Sequence, residues 1–538
     1  MDSPPISPAQ RRLAAALRTL KQRQDHGQVV FRSAELERRQ REALVGAGFL
    51  RPVVKGWYLV SQPGEAPGDT TPWFAAMRDF IAGYCNARFG DKWHVSPDYS
   101  VLVHAGATAH PTQVIIHSPQ GNNSVLELPA GCSLVDYRAR DFASTHQIEV
   151  RGGLRVLPLP VALVRVPEAF FRTAATDAQI ALAALPDSSD LNRELLAGGH
   201  SVVAGRLAGA LRAVGRPEFA DDVLGTMRAA GYTVQESNPF LSTPPILRSS
   251  RVASPYVHRL QLMWRTMREE VLRRFPEEPG LPGDINAYVA AVKENYSADA
   301  YHSLSIEGYR VTDELIERVA TGAWDPEQHA KDADARNALA AHGYWRAFEA
   351  VQTSLRSILA GENPGEVVRA NHGAWYRALF GPSVEAGLLA PADLAGYRNA
   401  PVYIKDAKHV PPSREAVREM MPALFDLIAE EPSSAVRAVL GHFCFVFIHP
   451  YMDGNGRMGR FLMNAMLASG GYPWTIIRVE WRDPYMTALD SASAGGDIGP
   501  FTQFLADAVQ GKTPAPAADG PPPGNAPATG QRAEGESR

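Results

Sequence analysis

The sequence predicts a multidomain protein whose C-terminal half is mainly α-helical, preceded by a small helix-and-hairpin module and an α+β domain. Three observations lead there. The chain has 538 residues, more than one ordinary domain holds. From about 250 to 510 its apolar residues recur at helical spacing, as in Tyr256-Val257-His258-Arg259-Leu260-Gln261-Leu262-Met263-Trp264. Between about 63 and 160, short apolar runs such as Val101-Leu102-Val103 and Gln113-Val114-Ile115-Ile116 alternate with Gly, Pro and Asn turns. The expected segments are 1–62, 63–245 and 250–510, with a tail at 511–538.

A composition of 45% apolar and 21% charged residues is that of a globular chain. No apolar run approaches the roughly 20 residues that cross a bilayer, and Met1-Asp2-Ser3-Pro4-Pro5 lacks a basic segment followed by an apolar one, so the expectation is a cytoplasmic protein with no membrane partner. Cys85, Cys132 and Cys444 are isolated and odd in number, which suits buried thiols better than a disulfide framework. A formal net charge of −4 argues against a generic polyanion binder, and a homo-oligomer is left open.

The first segment reads as helices and a hairpin. One helix starts at Pro8, and Ser33 is expected to N-cap a second, with Glu35 and Glu37 in its first turn and Gly46 and Gly48 at its end. Val53-Val54-Lys55-Gly56-Trp57-Tyr58-Leu59-Val60 places a Lys-Gly turn between β-formers, as in the wing of a winged helix. Up to Tyr58 the basic residues outnumber the acids. With Ser100-Val101-Leu102-Val103-His104-Ala105-Gly106 further on, this region resembles the abortive-infection type IV antitoxin and its winged-helix relatives over about the first 230 residues. The resemblance implies DNA binding through the basic winged helix; a packing or dimerisation module is the alternative.

Helical patterns follow the α+β stretch, and Ser237-Asn238-Pro239-Phe240-Leu241-Ser242-Thr243-Pro244-Pro245 marks a boundary. After Gly511 the Pro-, Ala- and Gly-rich tail has too little apolar surface to offset the entropy of ordering, so disorder is expected there.

Chemistry concentrates in His449-Pro450-Tyr451-Met452-Asp453-Gly454-Asn455-Gly456-Arg457-Met458-Gly459-Arg460. Residues 434–448 before it are too long and apolar for a strand and read as a buried helix, which Pro450 cannot continue. His449 then sits at the helix end, facing a cleft. Gly454, Asn455 and Gly456 can expose successive N–H groups as an anion nest at the start of the next helix. Arg457 and Arg460, three apart, share a face and can grip one polyphosphate. The embedded G-x-G-x-x-G is not a dinucleotide fingerprint, because five residues separate it from the preceding run and that run is helix-length.

These residues match without a gap the Fic family signature H-P-F/Y-x-D/E-G-N-G-R-x-x-R, and the similarity extends over about 250–510. Ala395-Gly396-Tyr397-Arg398, then Val402-Tyr403-Ile404 and Pro411-Pro412, look like the family's β-hairpin flap. The resemblance implies a compact helical fold that transfers AMP from ATP to a Tyr, Thr or Ser hydroxyl of a protein. It implies His449 as general base, Asp453 as the ligand of Mg²⁺ (or Mn²⁺), Gly454, Asn455 and Gly456 as the anion hole, Arg457 on the leaving pyrophosphate and Arg460 on the γ-phosphate. Phosphorylating relatives carry lysine at the position of Gly456, so glycine favours adenylylation. Asn464 is either a nucleoside contact or polar helix surface, and His442 is a satisfied core histidine.

Ser303-Leu304-Ser305-Ile306-Glu307-Gly308 resembles the family's inhibitory pattern S/T-x-x-x-E-G/N, implying an inhibitory helix near 296–308. A carboxylate on Arg460 would occupy its guanidinium fork and repel an incoming γ-phosphate. Val402, Tyr403 and Ile404 offer an edge on which a target peptide could add as a strand. The expected function is an autoinhibited protein adenylyltransferase. The alternatives are a DNA-binding regulator with a nucleotide-sensing Fic module, and removal of AMP as the main activity.

Overall fold

A computed structural model describes residues 8–61, 71–109, 111–140, 142, 147–240, 254–309, 316, 335–402, 404 and 407–514. Tyr403, the boundary residues 241–245 and the tail beyond 514 lie outside the described residues.

Helix Pro8–Asp25 packs on helix Arg38–Gly46 through Ala16, Leu20 and Leu44, and Phe31, Leu36 and Leu50 complete a small core. Strands Val30–Arg32, Trp57–Val60 and Leu50–Val54 form an antiparallel sheet in that spatial order, so the expected hairpin is present and turns at Lys55-Gly56. Gly56 sits at φ +83°, a backbone that side chains with a β-carbon rarely adopt. The expected cap at Ser33 is not formed. Residues Ser33–Glu35 make a single 3-10 turn, Leu36 is extended, and the α-helix begins at Arg38. The Glu35 carboxylate accepts the Arg32 N–H at 2.5 Å, closing this turn and competing with helix entry.

Helix Thr71–Phe89 covers this sheet, with the Phe80 ring edge-on to Trp57 at 5.7 Å. A four-stranded sheet follows in the order His94–Val95, Gln113–Ser118, Ser133–Arg138, Ser124–Glu127, its central pair parallel. After the hairpin Glu149–Arg151/Leu154–Val156 the chain is helical. Helix Ser201–Ala213 lies so close to the segment behind it that a β-carbon on Gly205 would stand 2.0 Å from the Gln235 carbonyl oxygen. The apolar core of these helices takes in Leu262 from helix Pro255–Arg274, so it is continuous with the C-terminal half. Arg259 on the same helix is buried, donates to the carbonyls of Ala105 (3.1 Å) and Gly106 (3.2 Å) and pairs with Asp177.

The C-terminal half contains helices Ile285–Glu294, Tyr296–Ile306, Ala335–Leu359, Pro364–Glu385, Arg414–Glu430, Ser434–Ile448, Asn455–Ala468, Arg482–Gly495 and Gly499–Val509. Ser434–Ile448 and Asn455–Ala468 form a central pair buried along almost their whole lengths; the first has the all-round apolar pattern that this requires, and the second buries Arg457, Arg460 and Asn464 as well. The strand pairing expected at the flap is not seen among the described residues: 402 and 404 belong to no strand, and the one isolated bridge nearby joins His409 to Ala109 of the α+β segment. Cys85, Cys132 and Cys444 are free and buried, as expected. Among the described residues no helix is long and apolar enough to cross a membrane.

Candidate active site

Helix Ser434–Ile448 begins where the Ser433 side chain accepts the Val436 N–H at 3.4 Å and ends at His449, which takes left-handed backbone angles, φ 53° and ψ 61°. Helix continuation is disfavoured before Pro450, and the left-handed turn swings the chain out of the core. The His449 N–H still reaches the Phe445 carbonyl at 2.9 Å, and its own carbonyl accepts from Arg398 Nε at 2.8 Å. Nδ1 of the ring lies 3.2 Å from the Val446 carbonyl. A carbonyl only accepts, so Nδ1 carries the proton and Nε2 holds the ring's lone pair. Burial pushes the imidazole down to about 4, against the opposing Val446 hydrogen bond, and it is neutral near pH 7.

The loop after His449 is held by its own residues. Asn455 accepts the Tyr451 N–H at 2.8 Å and donates to the Tyr451 carbonyl at 2.8 Å, so its buried side chain ties the loop shut. The expected anion nest asks only for the main-chain N–H of Asn455, so these side-chain bonds are an addition to that expectation. Gly454 caps the next helix at φ +78°, and a β-carbon there would meet Phe380 at 2.8 Å, so both the turn and the packing need glycine. Asp453 accepts the Gly454 N–H at 2.6 Å, lies 3.4 Å from Arg457 and leaves its side chain 62% exposed. The Arg457 guanidinium is buried between the rings of Tyr309 and Phe380, 5.1 Å from each centroid.

Arg460, one helical turn on, is held from a separate helix. Its Nε donates to Ser303 Oγ at 2.9 Å, and Nη2 donates to the Ser303 carbonyl at 3.0 Å and to Glu307 Oε1 at 2.8 Å. Glu307 ends helix Tyr296–Ile306, followed by Gly308 at φ +82°. The carboxylate reaches Arg460 across Gly456: a β-carbon at 456 would lie 2.2 Å from Glu307 Oε1. Burial alone would raise the Glu307 carboxyl, but the charges of Arg460 and Arg457 outweigh it and hold it below the ordinary value. The sequence-expected pair is therefore formed in the structure.

His449, Gly456, Glu307 and Arg460 line one cavity of about 530 Å³, with Ile404, His409 and Tyr485 on its other walls. Val402 lines a neighbouring cavity instead. Asn464 is neither a cavity residue nor surface: its amide pairs with the Thr475 backbone at 2.8 and 3.0 Å. His442 is buried and bonded to the Tyr485 hydroxyl at 2.7 Å, as expected of a core histidine. Arg398 and His409 touch the helix end directly, and their only sequence signal is their place beside the expected flap.

No cluster of three or more metal-ligating side chains occurs among the described residues. One exposed carboxylate at a helix N-terminus nevertheless fits a magnesium ion, which keeps waters and takes substrate phosphates alongside one or two carboxylates. Asp453 is that carboxylate.

Residues 373–467 match the family model of the Fic/DOC family. The chain is 31% identical over 220 residues to the protein adenylyltransferase Fic of Nematostella vectensis, covering 40% of this chain and 47% of the relative. It is 31% identical over 224 residues to that of Drosophila willistoni, covering 41% of each. The chain thus spans less than half the length of these curated relatives. Among solved structures it is similar to Fic-1 from C. elegans, at 20% identity and a TM-score of 0.35, covering 63% of this chain and 90% of that one.

Proposed function

We propose, from the premise that the C-terminal half of this chain holds a Fic domain, that the protein transfers AMP from ATP to a Tyr, Thr or Ser hydroxyl of a protein and that Glu307 restrains it. The observation that carries this reading is a histidine whose Nδ1 is bonded to the Val446 carbonyl, lining the same cavity as Gly456 and Arg460.

His449 Nε2 takes the proton of the target hydroxyl as that oxygen attacks the α-phosphorus. The α–β bridging bond breaks, and pyrophosphate leaves with the electron pair. Main-chain N–H groups at the start of helix Asn455–Ala468 face the phosphates, aided by the positive end of the helix. Arg457, fixed between two rings, holds the leaving pyrophosphate by charge-assisted hydrogen bonds, and Arg460 does the same for the γ-phosphate. Asp453 would hold Mg²⁺, which when bound neutralises phosphate charge.

Restraint follows from Arg460 being already engaged. Glu307 occupies its fork and sets a negative charge where the γ-phosphate would approach. Nucleotide can enter, but its phosphates cannot take the in-line pose until the carboxylate leaves. The test is α-labelled ATP with cell lysate, comparing wild type, Glu307→Gly and His449→Ala, followed by mass spectrometry of labelled proteins. Label transfer is expected to rise in Glu307→Gly and vanish in His449→Ala; undiminished labelling by His449→Ala overturns the assignment.

A further inference from the structure

We propose that Arg398 is a positioning residue for this transfer, clasping the main chain around His449 so that the imidazole keeps its left-handed perch and a single tautomer. This inference rests on His449 acting as the base. It starts from a backbone problem: at φ 53° and ψ 61° the β-carbon of a non-glycine residue crowds the following carbonyl oxygen, and such a conformation persists only where the surroundings fix it.

Arg398 supplies that fixing. Its backbone N–H donates to the Pro450 carbonyl at 2.8 Å, and Nε to the His449 carbonyl at 2.8 Å. Nη2 lies 3.5 Å from the Ile448 carbonyl and bonds the Pro412 carbonyl, while Nη1 reaches the Ala400 carbonyl at 3.3 Å. The side chain, 2% exposed, therefore joins the carbonyls of Ile448 and His449 to the segment on either side of 402–410, and the main-chain N–H of the same residue holds Pro450. A planar fork with donors on several edges can do this; a lysine ammonium, a point charge, cannot reproduce the fan. Tyr397 adds to the grip, packing on Tyr451 at 5.8 Å while its hydroxyl meets His372 at 2.9 Å.

The ring's orientation depends on this backbone, because the Val446 carbonyl that fixes its tautomer lies one turn back on the same helix. Releasing the His449 carbonyl lets the peptide unit rotate and carries the ring off its bond to Val446. Nucleotide binding is separate, since it uses residues from 453 onwards.

The experiment compares Arg398→Lys and Arg398→Ala with Arg398-intact protein, all in a Glu307→Gly background. In both variants the labelling rate at saturating ATP is expected to fall by about 10²-fold, the cost of a misplaced base. The ATP concentration at half-maximal rate should change less than about twofold, because phosphate binding is untouched. Nitrogen NMR of His449 provides a readout that needs no turnover: one tautomer, protonated at Nδ1, in the intact protein, and a mixture in both variants. An Arg398-intact parent that transfers no label overturns the functional reading alone, and the NMR comparison still decides the role of Arg398. An unaltered tautomer signature, or an unaltered rate in Arg398→Lys, overturns the positioning role. Should Arg398→Ala fail to fold, Arg398→Lys decides.

Discussion

Gly456 and Glu307 share one space: a β-carbon on the glycine would stand 2.2 Å from the carboxylate oxygen that binds Arg460. Glycine at this position thus leaves room for the ion pair. Gly456→Ala should destabilise the protein by about 1–3 kcal/mol, the usual cost of overpacking. In a Glu307→Gly background that cost should largely disappear. Thermal or denaturant unfolding of the four proteins of this double-mutant cycle measures the coupling, and additive effects would show that the two residues do not compete.

The Glu307–Arg460 pair should be sensitive to acid in one direction only. The carboxyl is held below its ordinary value of 4.5, with burial opposed by Arg460 and Arg457. A depressed carboxyl contributes stability that is present above its unfolded-state value and is lost as pH falls through its folded-state value. The melting-temperature advantage of wild type over Glu307→Gln should hold at neutral pH and close below pH 4.5. An advantage that instead vanished between pH 7 and 6 would argue against the pairing.

With His449 as the proposed base, its titration should set the acid limb of turnover. Its imidazole is pushed to about 4, first by burial, from an ordinary 6.5. In Glu307→Gly, kcat/KM should stay level as pH falls through 6.5 and decline only at or below about 4, since that parameter reports the free enzyme. Glu307 raises the imidazole slightly, so its removal moves the limb further toward acid. A limb centred at 6.5 would contradict a buried base.

Asp453→Asn in the Glu307→Gly background should lower label transfer by roughly 10²-fold, equivalent to the few kcal/mol that metal stabilisation supplies. The variant should also lose its response to added magnesium, whereas chelation should silence the aspartate form. Equal magnesium activation of both would place the ion elsewhere.

Arg259→Ala should cost about 3–5 kcal/mol, because it leaves Asp177 and two carbonyls of the α+β segment without their buried partner. Unfolding in denaturant checks this, and a loss under 1 kcal/mol would mean the junction is held mainly by apolar contacts.

Much of the site was legible because its residues act through local spacing. His449 to Arg460 follow one another along a helix end, a turn and a helix start, and each position's backbone is dictated by Pro450 and the glycines. The Ser303–Glu307 pattern was legible through its resemblance to an inhibitory pattern of the family, and charge named Arg460 as the partner that the structure gives it. The role of Arg398 is not legible in sequence, since its bonds run to carbonyls about 50 positions away, and carbonyls carry no sequence signal. Asn464 departs from its expected nucleoside contact or surface position for a related reason: it spends its amide on the Thr475 main chain, which residue type alone does not reveal. Ser33 lost its cap to Glu35, a nearer competitor for the turn.

The bridge between Ala109 and His409 makes the amino-terminal portion a structural neighbour of the chemistry. The Thr108 carbonyl takes the Val410 N–H at 3.2 Å, and His409 in turn bonds the Phe447 carbonyl at 2.8 Å, two residues before the base. A shortened protein beginning at the helices of the C-terminal half would strip this buttress from the cavity wall. Any transfer activity measured on it would then be that of a site without this support.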